Sequence, residues 1–422
     1  MNIFWFRRDL RLDDNIGLHH ALQKGKTQPI FIFDRNILDK IEKFDARLTF
    51  IHQTLKNINK QLEDYGSSIN FYYGYPHEIW KKILSSNNIE NVFWNKDYEP
   101  YAIKRDYKIT HLLKQNNIKL YSFKDQVIFE KSEITKDDGT PYTIFTPYKN
   151  KWLSKIKALK QYNSKDIYCN LIKSQTSIIP LDKMGFKESK IKVQDYSFKS
   201  IETYNEIRDF PSKDQTSYLS PHLRFGTISI RECVSNALKM NATFLSELIW
   251  REFFKQIIFH FPNVVDKPFK MKYNNIRWLN NLDDFESWKN GKTGYPLVDA
   301  GMRQLNQTGY MHNRVRMITA SFLIKHLLID WRWGEKYFAK KLLDFDLSAN
   351  NGNWQWAAGT GCDSAPYFRI FNPITQLKKF DQALNYTKKW IKDIDSTTYP
   401  IPIIEHKYAR ERCLRVYKQA LA

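Results

Sequence analysis

The stretch DARLTFIHQTLKNINKQLEDYG, residues 45–66, carries the clearest helical pattern in the amino-terminal part of the chain. Its apolar residues recur at alternating spacings of three and four, at Leu48, Ile51, Leu55, Ile58 and Leu62. Asp45 is placed to cap the start of the helix, and Gly66 lies just past its end. The stretch therefore predicts an amphipathic helix that packs one face on a core.

Short β-rich runs lie on both sides of this helix and recur through the first 125 residues. They cover residues 2–6, 29–33, 69–73, 91–94 and 118–123. Strands that alternate with helices are typical of a parallel α/β sheet. We therefore expect residues 1–125 to form an α/β domain with a parallel, five-stranded, Rossmann-like sheet.

Two common nucleotide-binding motifs are missing from the sequence. A Rossmann dinucleotide site needs GxGxxG after the first strand, where glycines let the backbone approach a pyrophosphate, but residues 6–15 read FRRDLRLDDN. The GKT within residues 290–296 is typical of a P-loop end, but Glu286 stands where that motif requires glycine. Neither a standard nicotinamide site nor a P-loop is expected.

The remaining chain divides by composition. Residues 126–200 are rich in Lys, Ser and Thr and contain DDGTPY and SIIPLDKMG, a pattern typical of a long irregular linker. From residue 201 to 422 the pattern is mainly helical, as in FLSELIWREFFKQIIFHF and VRMITASFLIKHLLIDW. We therefore predict an α/β domain, a linker and an all-α domain.

The chain is strongly basic. Its 66 Lys and Arg residues against 45 Asp and Glu give a formal net charge of +21 and a pI near 9.5. Such a charge favours polyanionic partners, nucleic acid above all, although a well-solvated basic surface would show the same balance.

Cysteine, histidine and hydropathy patterns exclude several protein classes. Four scattered cysteines (Cys169, Cys233, Cys362 and Cys413) show no CxxC spacing, and no HExxH motif occurs. No metal site or disulfide framework is expected. The first apolar run is too short for a signal peptide, and no run long enough to span a membrane occurs. We expect a soluble, monomeric protein in a reducing cytoplasm.

Hydroxyl side chains cluster in TSYLSPHLRFGTISIRE, residues 216–232. Thr216, Ser217 and Ser220 lie near helix starts, where hydroxyl and backbone donors can hold a phosphate. The alternative is structural, because Thr216 could simply cap a helix.

One helical face in SELIWREFF mixes charge with aromatic rings. Glu247, Trp250, Arg251 and Phe254 are spaced as neighbours on one side of a helix. A carboxylate and a guanidinium beside an indole suit an aromatic ligand with polar edges and phosphates. A buried Glu–Arg pair beside a packed tryptophan explains the pattern equally well.

Two further segments combine polar and aromatic residues. YMHNRVRMITASF places Asn313 and Met317 on one helical face, with His312 expected to be a core histidine. NNGNWQWAAGTG, residues 350–361, sets paired amides beside two tryptophans and fits neither a regular helix stripe nor an ordinary loop.

Taken together, WFRRDLRLDDN, ELIWREF, GKTGYP, MHNRVRM and DLSANNGNWQWAAGTGCDSAPYFRIFNP resemble the DNA photolyase and cryptochrome family, and most of all class I cyclobutane pyrimidine dimer photolyases. The resemblance covers nearly the whole chain. It implies an amino-terminal antenna-type α/β domain, a linker, and a helical catalytic domain that binds FAD.

The resemblance also assigns site residues. Contacts to the FAD phosphates and ribityl chain fall on Tyr204, Thr216, Ser217, Leu219 and Ser220. Contacts to the isoalloxazine ring fall on Arg316, Asp344, Asp346 and Asn350, with Asn350 at the flavin N5 position. A neutral amide there could accept from a protonated N5 or donate to an unprotonated one.

The tryptophans and arginines receive separate roles from the resemblance. An electron-hopping chain from flavin to the surface falls on Trp354, Trp331 and Trp288. The pocket for the flipped-out dimer is lined by Glu247, Trp250, Trp356, Asn313 and Met317. Contacts to DNA phosphates fall on Arg208, Arg251, Arg314 and Arg369.

The implied reaction is light-driven repair of cyclobutane dimers in UV-damaged DNA by electron transfer from photoexcited reduced FAD. In (6-4) photolyases both positions that match Asn313 and Met317 are histidine, because that chemistry needs a proton donor. Plant cryptochromes carry aspartate at the position of Asn350; a blue-light photoreceptor that binds FAD is the alternative function. Tyr101 and Ala102 replace the Asn-Glu pair of folate-binding members, so any second, antenna chromophore is of unknown identity.

Overall fold

The computed structural model describes residues 1–86 and 88–422, and within them the strands form one parallel sheet of five, in the order β3-β2-β1-β4-β5. The strands are β1 (Asn2–Phe6), β2 (Thr27–Asp34), β3 (Asn70–Gly74), β4 (Asn91–Asn95) and β5 (Lys119–Phe123). The order reverses at β1, as in a doubly wound sheet. The predicted parallel α/β architecture is confirmed.

Helices alternate with these strands. They are α1 (Ile16–Lys24), α2 (Arg35–Leu38), α3 (Ala46–Glu63), α4 (Pro76–Ser86) and α5 (Pro100–Gln115), followed by α6 (Phe145–Lys155). The carboxylate of Asp45 accepts a hydrogen bond from the Arg47 backbone N–H at 2.8 Å, so α3 begins where the sequence predicted. Gly66, with φ of 66°, lies just beyond its end.

The sheet buries both of its faces, because successive side chains of β1 point to opposite sides. Phe4 and Phe6 join a core with residues of α1 and α3, whereas Ile3 and Trp5 join a core with residues of α4 and α5. A sheet covered by helices on both faces explains why its central strands read as almost continuous apolar runs.

The rest of the chain is mainly helical. Its helices are α7 (Tyr204–Ile207), α8 (Leu219–Phe225), α9 (Ile230–Met240), α10 (Ala242–His260), α11 (Leu282–Lys289), α12 (Pro296–Thr308), α13 (Asn313–Ser321), α14 (Trp331–Lys341), α15 (Leu347–Ala358), α16 (Pro373–Phe380), α17 (Asn385–Trp390) and α18 (His406–Leu421). A π-helical turn, Phe322–His326, follows α13 directly. No helix in the described ranges is long and apolar enough to cross a membrane.

The chain forms two compact units. The first contains residues 1–134, 151–196 and 218–239, and the second contains residues 135–150, 197–217 and 240–422. Helices α8 and most of α9 thus belong with the sheet, although composition grouped them with the later helices. A buried ion-pair cluster accounts for this, since the Arg231 guanidinium bonds Asp14 and Asp125 within the first unit.

Most of the predicted linker is also part of the first unit. Tyr168, Leu171, Met184 and Phe186 are buried in the same core as α1 and α3. Irregular backbone can pack in this way when buried side chains hold it on a sheet-and-helix layer.

Candidate active site

The tryptophan-rich segment at residues 350–361 lies mainly on a regular helix, α15. Its cap Asp346 accepts from the Ala349 N–H at 3.3 Å, and Gly359, with φ of 86°, ends it. Trp354 is buried and Trp356 half-buried, because residues two apart project from roughly opposite sides of a helix. The expectation that the stretch has no regular helix stripe is confirmed, because α15 is buried on several sides and shows no single apolar face.

Asn350 on α15 is held by a single neighbour. Its amide nitrogen donates to the backbone carbonyl of Glu335 at 3.1 Å and to the Glu335 carboxyl Oε1 at 2.8 Å. A backbone carbonyl can only accept, so the amide orientation is fixed. The Asn350 Oδ1 atom accepts no hydrogen bond from residues 1–86 or 88–422 and is left as an acceptor. The expectation that Asn350 can also donate therefore does not fit this arrangement.

Glu335 on α14 was missed by sequence reasoning. Burial raises the pKa of its carboxyl, and the hydrogen bond from Asn350 opposes this only in part. A charged residue with helical spacing to the buried Trp331 and Phe338 was the available signal, but nothing in the sequence indicated that α14 faces α15.

An arginine and an aspartate form a pair in the same unit. The Arg316 guanidinium donates to both carboxylate oxygens of Asp344, at 3.2 and 2.8 Å, and its Nε donates to the Met311 carbonyl at 2.8 Å. Asp344 is nearly buried and Arg316 is half-buried. A bidentate pair of this kind fixes the direction of the guanidinium.

Asp346 has a cationic partner that the sequence did not predict. The Lys255 ammonium donates to its Oδ2 at 2.7 Å, and both side chains are buried. Ser348 donates to its other oxygen. Lys255 is a cation inside the apolar run FFKQIIF of α10. A lysine in such a run indicates a buried charge that needs a partner, and this could have been used to predict the pair.

Glu247 and Arg208 form an ion pair. Their Oε1 and Nη1 atoms are 2.8 Å apart, and both side chains are about a third exposed or less. Burial raises the pKa of the Glu247 carboxyl although the arginine lowers it. The two alternatives for this helical face thus overlap, because an ion pair is present and the carboxylate still reaches the surface.

Trp250 is backed by a second ring. Its centroid lies 3.7 Å from that of Phe145, with the ring planes 9° apart. The Phe145 backbone N–H donates to the Asp363 carboxylate at 2.9 Å. Phe145 lies far from α10 in sequence, and its position in a polar stretch gave no signal for this contact.

Helix α13 carries three further predicted residues. Asn313 is exposed at its first position, and Met317 is half-buried one turn later. Arg314 donates to Asp209 at 2.6 Å, so this predicted DNA contact already holds a carboxylate. His312 caps the helix by accepting from the Arg314 N–H at 3.2 Å, and burial lowers its pKa to about 4.

The two remaining predicted arginines differ in exposure. Arg369 is exposed and its guanidinium lies 5.8 Å from the centroid of the Trp356 ring. Arg251 is half-buried on α10 beside Trp250. Arg369 thus places an exposed cation beside the ring that was predicted to line the substrate pocket.

The tryptophans predicted to carry electrons share one buried cluster. Trp354 and Trp288 have ring centroids 6.2 Å apart, and Trp331 packs in the same cluster. Trp288 has no exposed surface, so it does not fit the surface end of a relay. Trp278, which was not predicted from the sequence, packs against this cluster and is partly exposed. Trp278 therefore suits the surface end of the predicted relay better than Trp288.

The predicted phosphate contacts fall in both units. Tyr204 is half-buried on α7, Thr216 is exposed and Ser217 is half-buried, all in the second unit. Leu219 and Ser220 begin α8 in the first unit, and no side chain caps that helix. No described group of His, Cys, Asp or Glu could hold a metal ion.

Tyr101 makes a hydrogen bond within the protein. The Tyr101 hydroxyl donates to the Asp34 carboxylate at the end of β2, and Arg105 lies 5.8 Å from the Tyr101 ring centroid. Burial raises the pKa of the Tyr101 phenol well above its usual value. Ala102 is buried next to it.

Comparison with known proteins covers both halves of the chain. Residues 2–165 match the DNA photolyase family model, and residues 244–397 match the model for the FAD binding domain of DNA photolyase. The predicted FAD cofactor is thereby confirmed for the helical domain.

Curated relatives match along the whole length. Proteins named deoxyribodipyrimidine photo-lyase from Synechococcus sp. and Escherichia coli are each 34% identical, over 100% and 99% of this chain and 97% and 98% of their own lengths.

Two solved structures are similar throughout. A bacterial class III photolyase from Agrobacterium tumefaciens has a TM-score of 0.89 and 32% identity, covering 99% of this chain and 97% of that one. An archaeal photolyase from Sulfolobus tokodaii, solved with two FAD molecules, has a TM-score of 0.85 and 34% identity, covering 99% of this chain and all of that one. The fold and these full-length matches agree, and the chain belongs to the DNA photolyase family.

Proposed function

We propose that this protein repairs cyclobutane pyrimidine dimers in UV-damaged DNA with the energy of light. The observation that carries the proposal is the surface formed by α10, where the partly exposed carboxyl of Glu247 lies one turn from the Trp250 ring, which is stacked on Phe145. An apolar ring beside a hydrogen-bonding group suits fused pyrimidine rings with polar edges. The relatives named deoxyribodipyrimidine photo-lyase support the same substrate.

The residues present fit a flavin. Asn350 offers a fixed carbonyl acceptor, and the Arg316–Asp344 pair offers a fixed guanidinium. We assign these residues and Asp346 to the ring system, and Tyr204, Thr216 and Ser217 of the same unit to the phosphates and ribityl chain. Bound there in its reduced form, FAD would supply light-driven electron-transfer chemistry to a dimer in the pocket.

Within this proposal Asn350 keeps a proton on the flavin. Its Oδ1 can accept from an N–H group but the side chain has no hydrogen left to donate, since both go to Glu335. A protonated nitrogen opposite Oδ1 is therefore stabilised in preference to an unprotonated one.

The substrate side of the site is assigned to one carboxylate and several uncharged side chains. The Glu247 carboxylate can accept a hydrogen bond from a ring N–H of a pyrimidine. Trp250 and Trp356 pack on the rings and exclude water. Asn313 and Met317 cannot act as acids, so this site suits cyclobutane dimers rather than lesions whose repair needs a proton.

The test is repair in vitro. Reduced protein mixed with an oligonucleotide that contains a thymine dimer should restore thymine absorbance under blue or near-UV light and not in the dark. Glu247→Ala should slow this recovery, with Asp214→Asn as a surface control. Full FAD binding without any light-dependent recovery would favour the blue-light photoreceptor instead.

A further inference from the structure

Asp209 lies between two of the arginines assigned to DNA. Its Oδ1 atom is 2.6 Å from the Arg314 Nη2 atom and 4.0 Å from the Arg208 Nε atom. Arg208 in turn holds Glu247 at 2.8 Å. Two carboxylates thus neutralise two guanidinium groups at this place, although the protein as a whole carries +21.

Arg314 is restrained from several sides. Besides the bond to Asp209, its guanidinium lies 4.5 Å from the centroid of the Phe380 ring and its Nη1 is 4.0 Å from the Met317 sulfur. The arginine side chain is 18% exposed, whereas Asp209 is 38% exposed. The carboxylate therefore faces solvent in front of a guanidinium that is kept beside a residue assigned to the pocket.

This arrangement penalises loose contacts with DNA. A phosphate that approaches Arg314 meets the charge of Asp209 and competes with it for the same N–H groups. At Arg314, intact DNA gains only that weakened contact. A flipped-out dimer needs Arg314 in place beside Met317, so for dimer DNA the positioning of Arg314 by Asp209 offsets the repulsion.

We propose that Asp209 determines specificity: it holds Arg314 beside Met317 and weakens binding of intact DNA more than binding of dimer-containing DNA. The inference rests on the proposed repair function and adds a residue to it. Asp209 is a positioning residue, because it acts through Arg314 rather than on the dimer. An unfavourable charge placed against the wrong ligand is a common source of selectivity.

The experiment compares Asp209→Asn with Asp214→Asn. Asp214 pairs with Lys389 at 2.8 Å, and both of these side chains are about half exposed, so this variant changes net charge equally. Binding of matched oligonucleotides with and without a dimer is measured in the dark by fluorescence anisotropy at several salt concentrations. Unchanged melting temperature and FAD absorbance verify that both variants fold.

Asp209→Asn should tighten binding of intact DNA about tenfold and of dimer DNA at most about twofold, so the affinity ratio falls several-fold. The salt slope for intact DNA should steepen by about one. Asp214→Asn should leave the ratio unchanged, Asp209→Glu should preserve it, and Asp209→Asn should add nothing in an Arg314→Ala background.

Equal effects of the two Asp→Asn variants on the ratio would overturn the inference, since Asp209 would then contribute only charge. Wild-type protein that prefers dimer DNA and repairs it would leave the proposed function standing in that case. Wild-type protein without any preference would overturn both.

Discussion

At the scale of single residues, fixed hydrogen-bond directions matter most. Glu335 accepts hydrogen bonds from both amide hydrogens of Asn350, so only the Oδ1 atom of Asn350 remains for a ligand, as an acceptor. The sequence identified Asn350 but not this restriction. Spacing places residues on a helix, whereas the partner of a side chain depends on which helices meet.

Asn350→Asp should therefore destabilise the protein by about 1–3 kcal/mol at pH 8, because an introduced carboxylate would face two acceptors of Glu335. The pKa of the introduced aspartate would be higher in the folded state than in the unfolded state. Its protonated form therefore contributes to the free energy of unfolding fully below the unfolded-state pKa, and this contribution is lost as pH rises through the folded-state pKa. Urea unfolding at pH 5 and pH 8 measures the difference from wild type, and Glu335→Gln in the same chain should restore much of it. An equal loss at both pH values would contradict this explanation.

Glu247 offers a second test at the residue scale. Its raised pKa predicts that repair by the wild-type protein declines as pH falls through the folded-state pKa, because the carboxylate then gains a proton and stops accepting a hydrogen bond. Glu247→Gln keeps a carbonyl acceptor that does not titrate and should show no such decline. Glu247→Ala should lower the repair rate about tenfold at pH values where the wild-type carboxylate is ionised, as expected for one lost hydrogen bond. The readout is thymine absorbance recovered per absorbed light, and a wild-type profile that stays flat as pH falls would rule out the carboxylate as the acceptor.

At the scale of elements, the strands and α3 were predictable because local pattern alone determines them. β-rich runs and a capped amphipathic repeat needed no partner to be identified. The single apolar face that would identify a helix from sequence is missing in α15, since its rings and amides are buried on several sides. Phe145 and Lys255 were missed for the same reason: each makes its contact with a distant element.

The Lys255–Asp346 pair joins α10 to the start of α15. Removing one partner should reveal the free-energy cost of leaving the other charge buried and unpaired. Lys255→Met should destabilise the protein by about 3–5 kcal/mol, because Asp346 remains charged and buried. The double variant Lys255→Met/Asp346→Asn should recover part of this loss. Lys388→Met, in an exposed pair with Asp395, should change stability by less than about 0.5 kcal/mol. Urea unfolding gives all the values, and similar effects at the two lysines would contradict a structural role for the buried pair.

At the scale of the whole molecule, the sequence gives the net charge but does not show how the charged side chains are paired. Arg208 and Arg314 are paired with Glu247 and Asp209, whereas Arg369 is exposed beside Trp356. Composition reports +21 without showing which charges already have a partner.

DNA binding should reveal this distribution. Arg369→Ala should reduce the slope of log K against log salt by about one, because a free phosphate contact is lost. Arg208→Ala should reduce it by less than about half as much, since the change also leaves Glu247 without its cation. Titrations of one oligonucleotide at several salt concentrations would decide, and equal slopes for the two variants would contradict the distinction.

The second unit is assembled from three separate stretches of chain, one of which contributes Phe145. A gene cut at residue 200 would omit residues 135–150 and strip the backing from the Trp250 indole. Expression of the second unit by itself therefore requires that residues 135–150 be fused to it, or that the segments of the gene be reordered to include them.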